Sequence, residues 1–339
     1  MNILFIGLGR ISQRYIRLLK KFHNKEFKNI YVIRHTKNSV VINDDLSSFK
    51  VKDINKYYNI LPTSLAKIKE LNIDVAFIVN APSKIRFSLI KTLIEKKIHI
   101  FCEKPILPYF DNEKNIKIKK LLVANKIIFF SAFQLRYHPF FKNIKNIIKS
   151  KKYGNLKFLK MEITESFHLF NKYTNLKNSH YVDKNIGGGV LLAQCHEIDI
   201  LHFLFDNINL TKVVSPKKTF LKNLNVEMLV STLFIGSQSK NNFPIQLNMD
   251  MVNPLPKREG VFYFDNYMIF YNLRENYSLL YDFKKNKSIK TIYNFERIEL
   301  FKEEISSFLS LIKKKKIDYA NFNDGLKSLK TIASIKKKL

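Results

Sequence analysis

A glycine-rich segment near the N-terminus has the residue types and spacing to bind a phosphate. IGLGRIS places Gly7, Gly9 and Ser12 at the positions of the fingerprint G-x-G-x-x-G, with serine in third place. Two glycines allow a tight turn and let a pyrophosphate approach the N–H groups at a helix start. Such a turn also joins many ordinary strands and helices, but here a strand precedes it and a helix follows. We therefore predict a dinucleotide site at Gly7, Gly9, Arg10, Ile11 and Ser12.

The end of the second predicted strand bears on the choice of cofactor. An Asp or Glu in that place would bond the ribose 2′-hydroxyl of NAD, whereas this chain has VIRHTK. Arg34, supported by His35, offers paired donors to the oxygens of a 2′-phosphate. An exposed arginine in a basic protein is the simpler alternative. The pattern slightly favours NADP over NAD.

Two further strand ends complete the predicted cofactor site. VNAP (79–82) and CEKP (102–105) both follow apolar runs, and ligands of open parallel sheets bind at the carboxyl ends of strands. We predict that the cofactor is contacted by Asn80, Ala81, Pro82, Glu103 and Lys104. Lys104 would then lie where nicotinamide and substrate meet, with a proline ending its strand.

Residues 1–133 show the pattern of a doubly wound parallel domain. Apolar runs at 2–7, 29–34, 74–80, 99–104 and 126–133 alternate with segments of helical periodicity. Residues 134–339 change to the alternation of antiparallel strands, which predicts an α+β domain with a large open sheet. The helical segments LLAQCHEIDILHFLF and KEEISSFLSLIKKKK are expected to cover one face of that sheet.

Composition excludes several classes of protein. The net charge of +31 is spread over nearly every segment, so specific nucleic-acid binding is not expected. Two cysteines without a C-x-x-C pair predict neither disulfides nor a metal site. The apolar start lacks the basic region of a signal peptide, and no apolar run is long enough to span a bilayer. A cytoplasmic location without membrane insertion is the expectation.

Four segments carry a resemblance to a known family. GLGRISQR, VNAPSKIRFSLIKTLIEKKIHIFCEKPI, FQLRYHP and GGGVLLAQCHEIDILHFLF resemble the Gfo/Idh/MocA oxidoreductases, the relatives of glucose-fructose oxidoreductase and inositol dehydrogenase. The resemblance implies NAD(P)-dependent hydride transfer on a secondary alcohol or ketone of a sugar or nucleotide sugar. It also implies a homodimer or homotetramer. FQLRYHP and LLAQCHEID are most similar to the branch found in surface-glycan and nonulosonic-acid metabolism.

His196 is the candidate for proton exchange in this reaction. An alcohol that loses a hydride must also lose its hydroxyl proton, and histidine titrates near neutral pH. Lys104 can stabilise the developing alkoxide. We predict Lys104 and His196 as catalytic residues, and a substrate site formed by these two together with Arg136, His180 and Gln194.

One departure from the resemblance affects this site. Many family members carry an aspartate shortly before the histidine, where this chain has Ala193 and Gln194. The substitution removes a carboxylate that could orient substrate, although Gln194 can still bond sugar hydroxyls. Beside this reaction, the sequence leaves two other functions open: an NAD-dependent glycoside hydrolase, and a nucleotide-binding regulator without catalytic activity.

Overall fold

The computed structural model describes residues 1–34, 39–80, 83–166, 180–216 and 225–339. Contacts between residues divide the chain into two compact units. The first contains Met1–Leu107, Asp111–Phe133 and Arg297–Gly325, and the second contains Pro108–Phe110, Gln134–Glu296 and Leu326–Leu339. The sequence predicts one continuous second domain over 134–339, whereas the structure groups residues 297–325 with the first unit.

The first unit is built on a parallel sheet. Its described strands are β1 (Asn2–Ile6), β2 (Asn29–Ile33), β5 (Leu61–Pro62), β6 (Val75–Ile78), β7 (His99–Glu103) and β8 (Phe129–Ala132), and β3 (Val40–Ile42) pairs with β4 (Ser48–Lys50) in a separate hairpin. The sheet order is β5-β2-β1-β6-β7-β8, with every pair parallel. These strands are apolar almost throughout because a parallel sheet is covered on its faces.

The second unit is built on a larger sheet. The described strands are β9 (Leu156–Thr164), β10 (Asn207–Val214), β11 (Leu229–Gln238), β12 (Asn241–Asp250), β13 (Lys257–Phe264), β14 (Tyr267–Asn272), β15 (Tyr277–Asp282) and β16 (Lys287–Ile292). Their order is β10-β11-β12-β9-β13-β14-β15-β16, and among the described strands of this sheet only β9 and β12 pair in parallel. The predicted fold class, a Rossmann domain followed by an α+β domain with a mostly antiparallel sheet, is confirmed.

The helices that flank these sheets follow the predicted periodicity closely. They are α1 (Arg10–Phe22), α2 (Ile54–Tyr57), α3 (Ile85–Glu95), α4 (Asn112–Ala124), α5 (Pro139–Ser150), α6 (Val190–Ala193), α7 (Cys195–Leu204), α8 (Arg297–Ile312) and α9 (Phe322–Lys336). SLAKIKEL, one of the segments of helical periodicity between the predicted strands, forms a short 3-10 helix at Ala66–Glu70 instead of an α-helix.

The prediction that KEEISSFLSLIKKKK covers the second sheet is wrong, because most of this segment lies in α8, which packs on the first sheet. Phe5, Phe77, Phe101 and Phe130 are register partners on β1, β6, β7 and β8, and their rings stack in a row across the first sheet. Phe308 of α8 packs on this row, with its ring centroid 5.5 Å from that of Phe101. Burying Phe308 against this aromatic row stabilises α8 in the first unit.

His138 illustrates a buried polar residue with a structural role. Its Nδ1 atom accepts a hydrogen bond of 3.1 Å from the Phe140 N–H and so caps α5. Phe141, Tyr293 and Phe295 surround the imidazole edge to face. Burial, with a smaller contribution from the Arg258 charge, lowers the pKa of His138 from 6.5 to about 4. The neutral ring is therefore the form that the folded chain holds.

We expect His138 to make the second unit sensitive to acid. Because its folded pKa lies below the unfolded value, its contribution to stability is complete above about pH 6.5 and is lost as pH falls towards 4. The loss is on the order of 3 kcal/mol. His138→Asn keeps a capping side chain without a titrating group, so its free energy of unfolding in urea should fall less between neutral and acidic pH. Equal pH dependence of wild type and variant would contradict this assignment.

Candidate active site

The glycine loop follows β1 and passes close to the end of β6. Gly7 has a φ of 99°, and its N–H donates to the Ile33 carbonyl at 2.8 Å. A side chain at Gly7 would place its Cβ 3.1 Å from the backbone of Asn80. Both its conformation and this close approach therefore favour glycine. The loop and Asn80 lie together at the carboxyl ends of β1 and β6, as the dinucleotide site requires.

The start of α1 fits an anionic group. Gly9 is the N-cap residue and, having no side chain, supplies no capping oxygen to the first N–H groups. It is exposed, and a Cβ at Gly9 would meet no described atom within 4 Å. The first turn has no acidic residue and begins with Arg10. N–H groups, helix dipole and an adjacent guanidinium all favour a diphosphate here.

Gln13 fixes this loop and was not predicted as a site residue. Its buried amide nitrogen donates to the Leu8 carbonyl at 3.3 Å and to the Val40 carbonyl at 3.0 Å. Its oxygen accepts from the Ile42 N–H at 2.8 Å and from the Tyr58 hydroxyl at 3.0 Å. The side chain thus joins the glycine loop to the hairpin strand β3. The sequence could have indicated Gln13, because a polar residue on the buried face of a predicted helix is unusual.

The remaining predicted cofactor residues are placed as follows. Arg34 directly follows β2 and is half-buried, and Ser12 is fully buried within α1. Ile11 is half-buried in the first turn of the same helix. His35, Ala81 and Pro82 lie outside the described residues.

Lys104 begins the turn after β7, and its neighbour Glu103 anchors that turn. Lys104 is half-buried and is joined to Pro105 by a cis peptide bond. One carboxylate oxygen of Glu103 accepts from the Lys104 backbone N–H at 3.2 Å. The other accepts from the Tyr15 hydroxyl of α1 at 2.6 Å. The Glu103 carboxyl therefore connects the lysine turn to the helix that starts at the glycine loop.

A second carboxyl approaches the same tyrosine. Glu304 of α8 lies 3.2 Å from the Tyr15 hydroxyl, which has one proton for two acidic partners. Burial, and next the Glu103 charge, raises the pKa of Tyr15 well above its usual value. Burial also raises the pKa of Glu103, although Tyr15 and Lys104 act in the opposite direction. Sequence spacing gave no signal for this contact, because Glu304 is separated from Tyr15 by 289 positions.

Arg86 of α3 holds the opposite side of the lysine turn. One terminal nitrogen of its fully buried guanidinium donates to the carbonyls of Glu103 at 3.1 Å and Pro105 at 2.5 Å. The other donates to the backbone carbonyl of Asn80 and lies 3.4 Å from its side-chain oxygen. Arg86 shares the apolar stripe of α3 with Leu89 and Leu93, so its unusual position was visible in the sequence.

His196 and Gln194 lie in the second unit, beside the glycine triplet. Gly189 has a φ of 96°, and a Cβ there would come within 2.4 Å of the Glu227 carboxylate. Glycine therefore permits the turn that starts α6. Gln194 lies between α6 and α7, and His196 is the second residue of α7. Both side chains are buried.

Gln194 belongs to a network of ionic side chains that the sequence did not reveal. Its amide nitrogen donates to Glu165 at 3.3 Å, and its oxygen lies 3.4 Å from Arg258. Arg258 also forms a 2.7 Å ion pair with Glu197, and Arg274 pairs with Glu165 at 3.2 Å. Although burial lowers the pKa of Arg258, the Glu197 and Glu165 carboxylates raise it above its usual value. A carboxylate that directly follows β9 thus reaches Gln194, the neighbour of Ala193.

Arg136 has a strong partner within the second unit. Its guanidinium donates two hydrogen bonds, of 2.8 and 2.7 Å, to the buried Asp199 carboxylate and lies over the Phe203 ring. The contact fixes FQLRYHP against α7. His180 starts a short 3-10 helix, and its side chain lies outside the described part of the molecule. A substrate role for either residue stays a prediction.

Other features of the chain concern metal and membrane. Within the described ranges, no three His, Cys, Asp or Glu side chains cluster as metal ligands would. Cys102 and Cys195 are both buried thiols, and burial raises the pKa of Cys102 to about 11. No helix in the described ranges has the length and apolar character needed to cross a bilayer.

Comparison with known proteins finds a family match in the N-terminal part of the chain. Residues 1–132 match the family model GFO_IDH_MocA, described as an oxidoreductase family with an NAD-binding Rossmann fold. Residues 1–132 are thus similar to the nucleotide-binding part of the Gfo/Idh/MocA oxidoreductases. The resemblance seen in the sequence is thereby confirmed. The family description names NAD, while the preference between NAD and NADP stays open.

Two curated relatives cover part of the chain. The uncharacterized oxidoreductase YrbE of Bacillus subtilis is 25% identical over 243 residues, which are 69% of this chain and 64% of the relative. Trans-1,2-dihydrobenzene-1,2-diol dehydrogenase of Xenopus laevis is 22% identical over 192 residues, 54% of this chain and 53% of the relative. The matches thus span less than two thirds of either relative's length.

Solved structures extend the similarity of fold to the whole chain. UDP-N-acetylglucosamine 3-dehydrogenase from Acidithiobacillus ferrooxidans has a TM-score of 0.74 at 13% identity, covering 100% of this chain and 97% of its own. A levoglucosan dehydrogenase in complex with NADH and levoglucosan has a TM-score of 0.77 at 13% identity, covering 100% and 96%. At these identities the comparison establishes the two-part fold.

Proposed function

We propose that this chain is an NAD(P)-dependent oxidoreductase that transfers hydride between nicotinamide and a secondary alcohol or ketone of a sugar or nucleotide sugar. The observation that carries the proposal is the shared sheet edge of the first unit. There the glycine loop, Asn80 and the Lys104 turn follow neighbouring parallel strands. Two of the structurally similar proteins are named as dehydrogenases of a nucleotide sugar and of levoglucosan, which supports a sugar as the substrate class.

The chain's own residues divide the work of cofactor binding. The N–H groups at the start of α1, with Gly7, Gly9 and Arg10, would hold the diphosphate. Gln13 keeps the loop against β3. Asn80 and Glu103 would flank the nicotinamide end. Bound NAD(P) supplies or accepts the hydride. Arg34 would bind the adenosine ribose or its 2′-phosphate.

On the substrate side, Lys104 and His196 carry the proposed chemistry. The Lys104 ammonium bonds the reacting oxygen and stabilises negative charge on it. His196 takes the hydroxyl proton during oxidation and returns it during reduction. Gln194 orients a sugar hydroxyl, with Glu165 and Arg258 fixing its amide. Arg136 and His180 complete the proposed substrate set.

The finer assignments are part of the same proposal. We place the reaction in surface-glycan or nonulosonic-acid metabolism, in the cytoplasm, and assign the chain to a homodimer or homotetramer. The partners would be small-molecule substrate and dinucleotide, without specific nucleic acid. The metabolic assignment depends on the resemblance of FQLRYHP and LLAQCHEID, and the oligomer on the open second sheet. The cytoplasmic location and the lack of specific nucleic-acid binding depend on the composition and the spread of charge.

A substrate screen tests the proposed reaction. The chain is incubated with sugars or nucleotide sugars and NAD or NADP, and the absorbance of reduced nicotinamide is followed. Substrate-dependent reduction supports the proposal. Cleavage of glycosides without net reduced nicotinamide would establish the hydrolase instead, since that reaction regenerates its cofactor. Tight dinucleotide binding without turnover of any of these sugars would favour the regulator.

We expect Arg34→Ala to reduce preference for NADP. Loss of a guanidinium from a 2′-phosphate removes charge-assisted hydrogen bonds and should lower kcat/KM for NADP about 10- to 100-fold, with little change for NAD. Lys28→Ala is the matched control because it removes a charge just before the other end of β2. Steady-state kinetics with both cofactors measures the ratio. A ratio that is the same in wild type and Arg34→Ala would refute the role.

A further inference from the structure

Arg86 is a buried cation that hydrogen-bonds the backbone around the lysine turn. The side chain is fully buried, and its hydrogen bonds reach backbone oxygens on both sides of the Lys104 turn. The same guanidinium bonds Asn80 after β6. Arg86 therefore joins the carboxyl ends of the neighbouring strands β6 and β7. Burying a cation is costly, and the buried Nε of Arg86 has no hydrogen-bond partner among the described residues, so the bonds of its two terminal nitrogens to backbone oxygens must offset that cost.

We infer that Arg86 is the positioning residue of the lysine turn, holding Lys104 in register with Asn80 beside the nicotinamide end of the dinucleotide. The inference rests on the proposed function and assigns it a residue outside the predicted catalytic and binding sets. Glu103 bonds the N–H of Lys104, while Arg86 bonds the carbonyls of Glu103 and Pro105. Together they fix the backbone before and after the lysine.

The shape of the side chain explains why an arginine is needed. A guanidinium is a planar fork with five donors, so its two terminal nitrogens can reach oxygens on separate strands. A lysine ammonium concentrates three donors at one point and cannot reach all these oxygens at once. Small errors of position at a reacting centre lower rates strongly, by about 10²-fold for a displacement near 1 Å. Arg86 would therefore act on chemistry through Lys104 without touching substrate.

The test reads the position of Lys104 directly and needs no sugar. Wild type, Arg86→Met, Arg86→Lys and the exposed control Lys91→Met on the same helix are acetylated with an amine reagent, with and without saturating NADPH or NADH. Mass spectrometry follows the rate at Lys104. We expect dinucleotide to slow this rate ~10-fold in wild type and in the control, but about 2-fold or less in Arg86→Met, at nearly unchanged dinucleotide affinity.

Thermal unfolding and dinucleotide titration separate positioning from folding. Arg86→Lys keeps the charge and should show intermediate protection, which decides the question if Arg86→Met does not fold. Wild-type protection in a folded Arg86→Lys or Arg86→Met variant of unchanged dinucleotide affinity would overturn the inference and leave the proposed function intact. Equal labelling of wild-type Lys104 with and without dinucleotide would overturn the proposed role of Lys104 itself, and this inference with it.

Discussion

Lys104→Met is expected to lower the rate of hydride transfer ~10²-fold or more while the chain still binds dinucleotide. Methionine keeps much of the apolar stem but removes the ammonium that stabilises negative charge on the reacting oxygen. The backbone contacts of the turn involve Glu103 and Arg86 and do not require the lysine side chain. The loss should therefore appear in kcat with the sugar found by screening. Dinucleotide affinity, measured by nicotinamide fluorescence, should change little.

The exposed Lys119→Met on α4 is the control for loss of one positive charge from the first unit. It should retain wild-type kinetics. A folded Lys104→Met variant that turns over substrate at the wild-type rate would show that Lys104 is only a cation at a strand end. Weak dinucleotide binding in that variant would instead assign the lysine to the cofactor site.

The strands and the phosphate loop could be predicted because their signals are local. An apolar run of four or five residues is enough to indicate a buried strand. Such a run coincides with each of β1, β2, β6, β7 and β8. The glycine loop likewise needs only its own spacing and its neighbours. Arg86 was visible in the same way, as a charge on an apolar helix stripe, yet its hydrogen-bond partners were not. They lie across two strand ends, which only the folded sheet brings together.

The position of α8 shows where local signals fail. Its amphipathic periodicity predicts a buried face but does not identify the surface that covers it. The partner turned out to be the row of phenylalanines on the first sheet, contributed by four separate strands. Because α8 belongs to the first unit, Glu304 reaches Tyr15 and adds a second carboxyl near Glu103. That electrostatic feature of the lysine turn depends wholly on the long-range packing.

The surroundings of Ala193 and Gln194 likewise depend on long-range contacts that the sequence pattern did not show. Sequence comparison with the family pattern indicates a lost carboxylate at Ala193 and Gln194, whereas the folded second unit has Glu165 hydrogen-bonded to Gln194. Arg258 and Arg274 balance the charges of Glu197 and Glu165. A network of hydrogen bonds with balanced charges is suited to holding an amide in one orientation. The polar character of this site is therefore retained by residues from other elements.

His196→Asn is expected to cause the other large loss of activity. Asparagine can hydrogen-bond a sugar hydroxyl but cannot exchange a proton near neutral pH, and general-base catalysis contributes about 10²- to 10⁴-fold. Oxidation requires the base in its deprotonated form, so wild-type kcat/KM should rise with pH through the pKa of that base. In the variant this rise should be absent. Dinucleotide binding should be unchanged because the glycine loop belongs to the first unit.

His202→Gln on the same helix is the matched control for this experiment. The His202 side chain lies 2.9 Å from the Thr331 hydroxyl and is not assigned to the reaction, so a glutamine there should preserve both the rate and the pH profile. Measuring kcat/KM for alcohol oxidation from mildly acidic to alkaline pH separates the two variants. If folded His196→Asn kept the wild-type rise, the titrating group would be another residue. Only the neutral imidazole can accept the hydroxyl proton. A rise of kcat/KM with pH that disappears in His196→Asn would therefore assign His196 to the removal of that proton.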